Sequence, residues 1–512
     1  MLTLGSAHGP ERRQEDQGLA AQLLQLRPAL CACAAHVAAG RFDDANRCVD
    51  RIMGLASLGD GPLQRLSKIF VGGLVRRQLG TTINRALINP STPYSVRTAR
   101  SSFVKLLPFL KVAYVAINRV ILDAMENEKF VHIIDLSGPA AHPWQWLKLM
   151  RAFRRRPYGA PNLCITVVHE DGEFLADTSA RLRAEADSMD MAFTFHGFLG
   201  RLETLDLGNL HESLAIKSGY AHAFSCALQM RRLLRLPVMD AAAVQQLHLP
   251  GAAASSFVHY AHHHHHEMNL VPDDYPSPTT SLSPFTATPS PPQHQHLVVP
   301  SPLTQFQLAV RAVSPKVVAI MEQEVMASHN NGQDFPARFR DALHYYAALF
   351  DALQDSSGGA LLGGGDECRR RQTQEEEERA QVEQVVLGEE IRDVLVRDVM
   401  VAEPLRRWAA RMVGAGFGAV PLSYVAKMEA DEVLRKYRLR GYENRAHEKC
   451  LLLCWNGRPL YAVSAWRPWS CSQGSAFSVS SQQQQRMVVP GQMTPTWTWP
   501  RQHAAKVHNF TY

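Results

Sequence analysis

The sequence lacks the features of a disulfide-rich, secreted or membrane-spanning protein. Its nine cysteines are scattered over 512 residues, and none of them forms the paired CxxC spacing of a zinc site. Scattered cysteines in apolar surroundings are typical of reduced thiols in a cytosolic or nuclear protein. Residues 1–18 contain no apolar core of a secretory signal, and no apolar run reaches the roughly 18 residues that a membrane helix needs. We therefore expect a reduced protein with no membrane contact.

The sequence also lacks the motifs of the common enzyme classes. It contains no GxSxG, HExxH or Walker loop, and no cysteine–histidine pair in a supporting context. The strand-like run 130–136 is followed by the turn 137–140, which has one glycine and a proline. A nucleotide-type cofactor needs a closer backbone approach than such a turn allows. We therefore expect neither catalysis nor a bound cofactor, and in particular no S-adenosylmethionine-dependent activity.

The sequence does contain enough apolar material for a sizeable core, together with a small excess of positive charge. Apolar residues make up 46% of the chain, which is ordinary for a globular protein of two or three domains. The 54 basic and 48 acidic residues leave a formal charge of +6. Such a charge permits contact with nucleic acid but does not demand it.

The hydrophobic pattern divides the chain into a helical part and an alternating part. Residues 19–129 have apolar positions three and four apart, which predicts helices. Beyond them, continuous apolar runs at 131–136, 163–168 and 317–320 predict buried strands between helical segments. The dipeptide Asn456-Gly457, between two apolar runs, predicts a hairpin. The predicted fold class is therefore α/β, with a mostly parallel sheet, helices on both of its faces and an N-terminal helical cap.

Composition sets the remaining boundaries. The segment 240–303, with its run of five histidines, and the polar tail 470–512 cannot bury enough apolar surface to fold. We expect both segments and residues 1–18 to be disordered, and we predict no metal site at the histidine run. The predicted organisation is an N-terminus at 1–18, a helical cap at 19–129, a first core part at 130–239, an insertion at 240–303, a second core part at 304–469 and a tail at 470–512.

Acidic residues follow two of the predicted strands. Asp135 ends the first strand, and Glu170 and Asp171 follow the second. In open α/β sheets such acids lie at the ligand crevice, where they can hold ribose hydroxyls. The other interpretation is that these acids cap turns and helix N-termini. We favour capping, and a small-molecule-binding or methyltransferase-like protein with an Asp135/Glu170 crevice stays an alternative.

Aromatic and basic residues occupy the next predicted helix. We expect Trp146 to pack onto the sheet rather than to form a recognition surface. Four arginines at the end of this helix are candidate contacts for nucleic acid or an import signal, or they complement the helix C-terminus. These are Arg151, Arg154, Arg155 and Arg156.

Several motifs resemble those of one family. The run Val131-His132-Ile133-Ile134-Asp135, followed by Gln145-Trp146, resembles the VHIID signature of the plant GRAS regulators. Segments 23–57 and 202–234 resemble the two leucine-rich regions of that family, and segments 118–126 and 458–464 are similar to its scarecrow-like branch. The residues that resemble the PFYRE and SAW regions are Arg338, Phe339, Tyr345, Tyr346, Glu390, Ser464, Ala465 and Trp466.

The resemblance implies a fold and a function. The fold would be a methyltransferase-like (Rossmann-type) α/β core with an N-terminal helical cap. The protein would be a nuclear transcriptional regulator in gibberellin response and root development, and it would contact promoter DNA mainly indirectly. The implied partners are transcription factors and other nuclear regulators, DELLA-type family members among them, with a homo- or hetero-dimer as a further expectation. A direct, sequence-specific DNA-binding transcription factor is the alternative, which a contiguous basic face would favour.

Overall fold

The structure is a computed structural model that describes residues 24–86, 92–234, 236, 300–325, 334–357, 366–396, 403–437 and 441–469. The predictions of disorder for 1–18 and 470–512 lie outside these residues, as does the histidine run. Nearly all of the predicted insertion 240–303 lies outside them too. Its last residues are described, and a helix begins there at Pro302.

Among the described residues, five helices with full bounds precede the first strand. Pro28 lies in the first turn of the first helix, where the N–H that proline lacks would have no helical partner, so the helix continues past it. Pro108 instead separates the fourth helix from the fifth. The helices are α1 (Leu26–Ala38), α2 (Phe42–Ala56), α3 (Pro62–Ala86), α4 (Pro93–Leu106) and α5 (Phe109–Ala124).

Five parallel strands form one part of a nine-stranded sheet. They are β1 (Phe130–Asp135), β2 (Asn162–His169), β3 (Phe193–Leu199), β4 (Ala221–Ala227) and β5 (Val317–Gln323). They pair in the order β3-β2-β1-β4-β5. From β1 the chain adds strands first on one side and then, with β4, on the other, so the strand order reverses between β1 and β4. The helices of this part are α6 (Pro143–Arg154), α7 (Gly172–Ser188), α8 (Leu210–Ser213), α9 (Met230–Leu233) and α10 (Pro302–Ala312).

Antiparallel strands complete the sheet, and the long last strand pairs on one side with β5. The remaining elements are α11 (Phe335–Ser357), α12 (Asp366–Gln381), a π-helical turn (Val382–Leu387), α13 (Gly388–Val396), α14 (Leu405–Gly414), β6 (Phe417–Val420), α15 (Tyr424–Tyr437), β7 (Tyr442–His447), β8 (Cys450–Trp455) and β9 (Arg458–Pro468). Asn456 and Gly457 join β8 to β9 with φ angles of 47° and 77°, as a tight hairpin requires. The predicted hairpin is confirmed.

Separate apolar clusters cover the two faces of the sheet. Val131 and Ile133 of β1 belong to a large cluster with α1 to α7 and α11. Ile134 and Leu136 belong to a second cluster with segment 202–216, α10 and α14. Because β1 is buried on both faces, its sequence is a continuous apolar run. The predicted α/β fold, with a mostly parallel sheet and helices on both faces, is confirmed.

The described cysteines carry no disulfide bond. Seven cysteines of the described segments are free thiols, and four of these are buried: Cys33, Cys164, Cys226 and Cys454. No helix in the described part of the chain is long and apolar enough to cross a membrane.

Candidate functional site

The carboxylate of Asp135 is fully buried at the end of β1 and is held by its own chain. Its Oδ1 accepts the backbone N–H of Ser137 at 2.9 Å, and its Oδ2 accepts the indole N–H of Trp146 at 2.8 Å. Burial raises the pKa of Asp135, and these hydrogen bonds lower it again in part. The hydroxyl of Ser137 accepts the N–H of Ala227 at 3.1 Å. Both oxygens of Asp135 therefore fix the turn after β1 and the helix that follows it.

The acids after β2 also have partners within the chain. Asp171 caps α7, because its Oδ1 accepts the N–H groups of Glu173 at 2.9 Å and Phe174 at 3.2 Å. Glu170 forms a salt bridge with Arg201 at 2.6 Å. Asp171 therefore acts as the helix cap that the capping interpretation expects. Glu170 instead forms an ion pair at the protein surface.

His132, the second residue of the motif, is a buried and neutral side chain. Its Nε2 lies 2.9 Å from the hydroxyl of Thr166, and its Nδ1 accepts the N–H of Lys217 at 3.3 Å. Burial lowers the pKa of His132 to about 3, with a smaller contribution from nearby His222. This imidazole therefore ties β1 to β2 and carries no charge at neutral pH.

Gln145 and Trp146 attach α6 to the layer beneath it. Trp146 is 1% exposed and belongs to the large cluster, so its role is structural. The backbone carbonyl of Gln145 accepts a hydrogen bond from Nδ2 of Asn118 at 2.8 Å, which connects α6 to α5. The side-chain amide of Gln145 is buried without a hydrogen-bond partner among the described residues.

Glu390 joins three segments that are far apart in the sequence. Its Oε1 accepts a hydrogen bond from Nη2 of Arg231 at 2.5 Å. Its Oε2 accepts from Nε2 of Gln323 at 3.0 Å and from the hydroxyl of Tyr346 at 3.4 Å. Burial acts to raise the pKa of Glu390, but Arg231 and these hydrogen bonds outweigh it and hold the pKa below its ordinary value. The motif residues Tyr346 and Glu390 therefore meet at the carboxyl end of β5.

The other motif residues of α11 attach this helix to strand β9 on one side and to helix α3 on the other. The hydroxyl of Tyr345 donates to the carbonyl of Leu460 in β9 at 3.1 Å. The ring of Phe339 packs edge-on against Phe70 of α3, with centroids 5.2 Å apart. Arg338, in the first turn of α11, is half-buried. Helix α11 therefore connects the N-terminal helices to the antiparallel part of the sheet.

The SAW residues lie inside the sheet. Trp466 is 2% exposed, and its indole N–H donates to the hydroxyl of Ser464 at 2.9 Å. Ala465 pairs with Ala319 of β5 and is also buried. Trp466 belongs to the second apolar cluster. These three residues therefore pack the last strand into the core.

The arginine cluster at the end of α6 is mostly engaged by the protein itself. Arg151 makes two hydrogen bonds to the carboxylate of Glu185, at 2.6 and 2.9 Å. Arg154 and Arg156 donate to backbone carbonyls of neighbouring segments. Arg155 is exposed. Three of the four guanidinium groups therefore stabilise the packing of α6.

Two buried charged residues near Glu390 were not predicted from the sequence. Arg231, in α9 after β4, is 5% exposed, and Glu322, in β5, is 3% exposed. Oε1 of Glu322 accepts the N–H of Met230 at 2.8 Å, and burial raises the pKa of Glu322 to about 7. The adjacent arginines 231 and 232 follow strand β4, and two basic residues after a recognised strand would have marked Arg231 as a candidate site residue. The strand itself, Ala221–Ala227, consists mostly of small residues and was not recognised.

No group of three or more histidine, cysteine, aspartate or glutamate side chains within the described segments could hold a metal ion.

Comparisons with known proteins agree with the motifs. A family model described as the GRAS domain family matches residues 26–467. The chain is 33% identical over 471 residues to Scarecrow-like protein 3 of Arabidopsis thaliana, which covers 89% of this chain and 90% of that protein. It is 31% identical over 454 residues to the GRAS family protein TF80 of Medicago truncatula, with 86% and 94% covered. It is 25% identical to the DELLA protein GAIP of Cucurbita maxima, with 87% and 63% covered.

A solved structure agrees with the fold. The crystal structure of SCL7 in Oryza sativa matches with a TM-score of 0.58 at 22% identity, and the match covers 87% of this chain and 99% of that chain.

Proposed function

The chain belongs to the GRAS domain family, and on that premise we propose that it is a nuclear regulator that acts on promoters through protein partners. The observation that carries this proposal is the family match over residues 26–467. Members of this family, scarecrow-like and DELLA proteins among them, are plant transcriptional regulators. The similarity to a scarecrow-like protein and to DELLA proteins supports a role in gibberellin response and root development, with DELLA-type members among the partners.

The geometry after β1 supports a function without catalysis. Both oxygens of Asp135 bind groups of the protein, as described above. Gly138, the single glycine of the turn, has a φ of +48°, and a Cβ there would lie 3.2 Å from the side chain of Gln229. This glycine therefore serves the turn and its packing rather than the approach of a cofactor. The proposal accordingly includes no S-adenosylmethionine chemistry.

The arginines of α6 support recruitment by partners over direct contact with DNA. Phosphate binding needs guanidinium groups that are free to leave their protein partners. Arg151, Arg154 and Arg156 each bond to other parts of the chain, so they do not offer a contiguous basic face. Direct, sequence-specific DNA binding stays the alternative.

The N-terminal helices offer the better surface for a partner. Phe42 and Met53 of α2 are 51% and 41% exposed. They are 11 residues apart, which places them on the same side of an α-helix. Five of the eight leucines of segment 202–234 are buried in the second cluster, and Leu228 is buried in the large cluster. Leu207 and Leu234 are half-buried against the second cluster, so this segment offers little apolar surface for contact. We therefore place the partner surface on α2 and propose that it binds an apolar face of another nuclear regulator.

The proposal is tested by pulldown of the tagged full chain from plant nuclei, with and without DNase. We expect the same regulators to be recovered in both samples, because they bind the protein and not shared DNA. The double variant Phe42→Asp/Met53→Asp should lose them, whereas Tyr158→Asp, a control at a side chain that is 90% exposed, should keep them. Loss of all partners after DNase would support direct tethering to DNA and contradict the proposal.

A further inference from the structure

A cavity of about 100 Å3 lies at the carboxyl end of the central strands. One side of it is formed by residues that directly follow β1 and β4, namely Pro139, Ala140, Leu228 and Gln229. The strand order reverses between β1 and β4. Open α/β sheets bind their ligands at such a reversal, outside the carboxyl ends of the strands. The cavity therefore occupies the position where this architecture accommodates a small molecule.

Apolar side chains and arginines share the wall of this cavity. Phe103 and Val104 of α4 and Val386 and Leu387 of the π-helical turn line it from the side of the helical layer. Neither Asp135 nor Glu170 belongs to the lining, so the cavity is distinct from the crevice that the sequence suggested. Six charged side chains share the lining with these apolar ones, and convergent polar groups are what orient a ligand in small-molecule sites.

Three arginines from two elements converge on the cavity: Arg100 of α4 and Arg231 and Arg232 of α9. Glu390 binds one terminal nitrogen of Arg231, but Nε and Nη1 of Arg231 have no hydrogen-bond partner among the described residues. Nε of Arg100 is also buried without a partner within that part of the chain. A buried donor without an acceptor costs about 1–3 kcal/mol, and more when it is charged. The unsatisfied donors therefore favour an acceptor that enters the cavity.

The acids around the cavity leave Nε of Arg100 and both Nε and Nη1 of Arg231 without a hydrogen-bond partner among the described residues. Glu390 is bound to Arg231, and Glu389 and Asp393 lie close to Arg392. The nearest carboxylate oxygen of Glu203 is 3.8 Å from Arg232. Burial lowers the pKa of Arg100 to about 10 and the positive charge of Arg232 also lowers it, whereas the negative charges of Glu170, Glu390 and Glu389 act to raise it. Arg100 and Arg232 thus both line the cavity and are close enough to repel each other.

We propose that this cavity binds a small molecule through a carboxylate or phosphate group held between Arg100, Arg231 and Arg232. The oxyanion accepts hydrogen bonds from the convergent guanidinium groups and removes the repulsion between Arg100 and Arg232. The remainder of the molecule packs against Phe103 and Val104. Because Arg100 belongs to α4 and Arg231 to the sheet side, the ligand connects the helical layer to the core.

Calorimetry and thermal unfolding of the purified full chain test the proposal, with inorganic phosphate and benzoate as probes and sodium chloride at equal ionic strength as the reference. We expect one saturable site and a rise in Tm that chloride does not give. Binding of phosphate alone identifies a phosphate ester as the ligand class, binding of benzoate alone identifies a carboxylic acid, and binding of both identifies the shared oxyanion chemistry.

Variants locate the site. Arg100→Gln and Arg232→Gln should each weaken binding about tenfold or more, because each removes a charge-assisted hydrogen bond. Arg154→Gln, at an exposed arginine outside the cavity, should bind like the unchanged protein. The two single variants are made separately, and circular dichroism confirms that each is folded. The proposal is overturned if neither probe differs from chloride, or if both variants bind as tightly as the control.

Discussion

Removal of the Glu390 carboxylate should destabilise the protein more than any exposed charge change. Glu390→Gln keeps the size of the side chain but leaves the buried guanidinium of Arg231 without its counter-charge. Glu322 replaces that charge only partly at neutral pH, because burial raises its pKa to about 7. Breaking a buried ion pair by removal of one partner costs about 3–5 kcal/mol. That is a large share of the roughly 5–15 kcal/mol by which proteins are stable.

Urea unfolding of the full chain, followed by tryptophan fluorescence, measures this cost. Glu443→Gln is the matched control, because Glu443 and its partner Arg445 are both about half exposed, at 47% and 48%. The control should lose no more than about 1 kcal/mol. The double variant Arg231→Met/Glu390→Leu should be more stable than Glu390→Gln, since it removes the buried guanidinium together with its partner. A loss for Glu390→Gln as small as that of the control would refute the role assigned to this residue.

Three further predictions follow from buried groups. Burial raises the pKa of Glu322 to about 7, so its contribution to stability is present at acidic pH and is lost as pH rises through 7. This loss lowers the free energy of unfolding by at most about 1.4 kcal/mol per pH unit, and Glu322→Gln should flatten it. An unchanged pH profile in this variant would contradict the prediction. Trp466→Ala should lower the free energy of unfolding by about 3–5 kcal/mol, and its loss of function should follow the loss of soluble protein. An inactive variant of normal stability would mean that Trp466 takes part in the function directly. Calorimetry should detect no binding of S-adenosylmethionine, and micromolar binding abolished by Asp135→Ala would overturn the non-catalytic account.

The parts of the fold that could be predicted from the sequence are those with strong local patterns. β1, β2 and β5 are continuous apolar runs because both faces of the sheet are covered. β4 was missed because its small residues, as in Ala221-His222-Ala223, do not have the β-branched pattern of a strand. The short strand β6 and the largely exposed strand β7 also gave no apolar run.

The site was harder to predict than the fold. The capping role of Asp171 is local, so the sequence was sufficient to suggest it. The pair of Arg231 and Glu390 joins residues 159 positions apart, and only the packing of α13 against the end of β5 brings them together. The convergence of Arg100 with Arg231 likewise depends on how α4 lies over the sheet. Spacing in the sequence contains no signal for either contact.

The central claim is that the protein reaches promoters through other proteins, and selection from a library of random DNA duplexes tests it most directly. The purified full chain is compared, at physiological salt, with the same chain recovered from plant nuclei together with its partners. The account predicts that the purified chain enriches no sequence and retains DNA only weakly, with steep dependence on salt, whereas the recovered complex enriches a defined motif. Enrichment of a defined motif by the purified chain alone would contradict the account and establish direct DNA recognition.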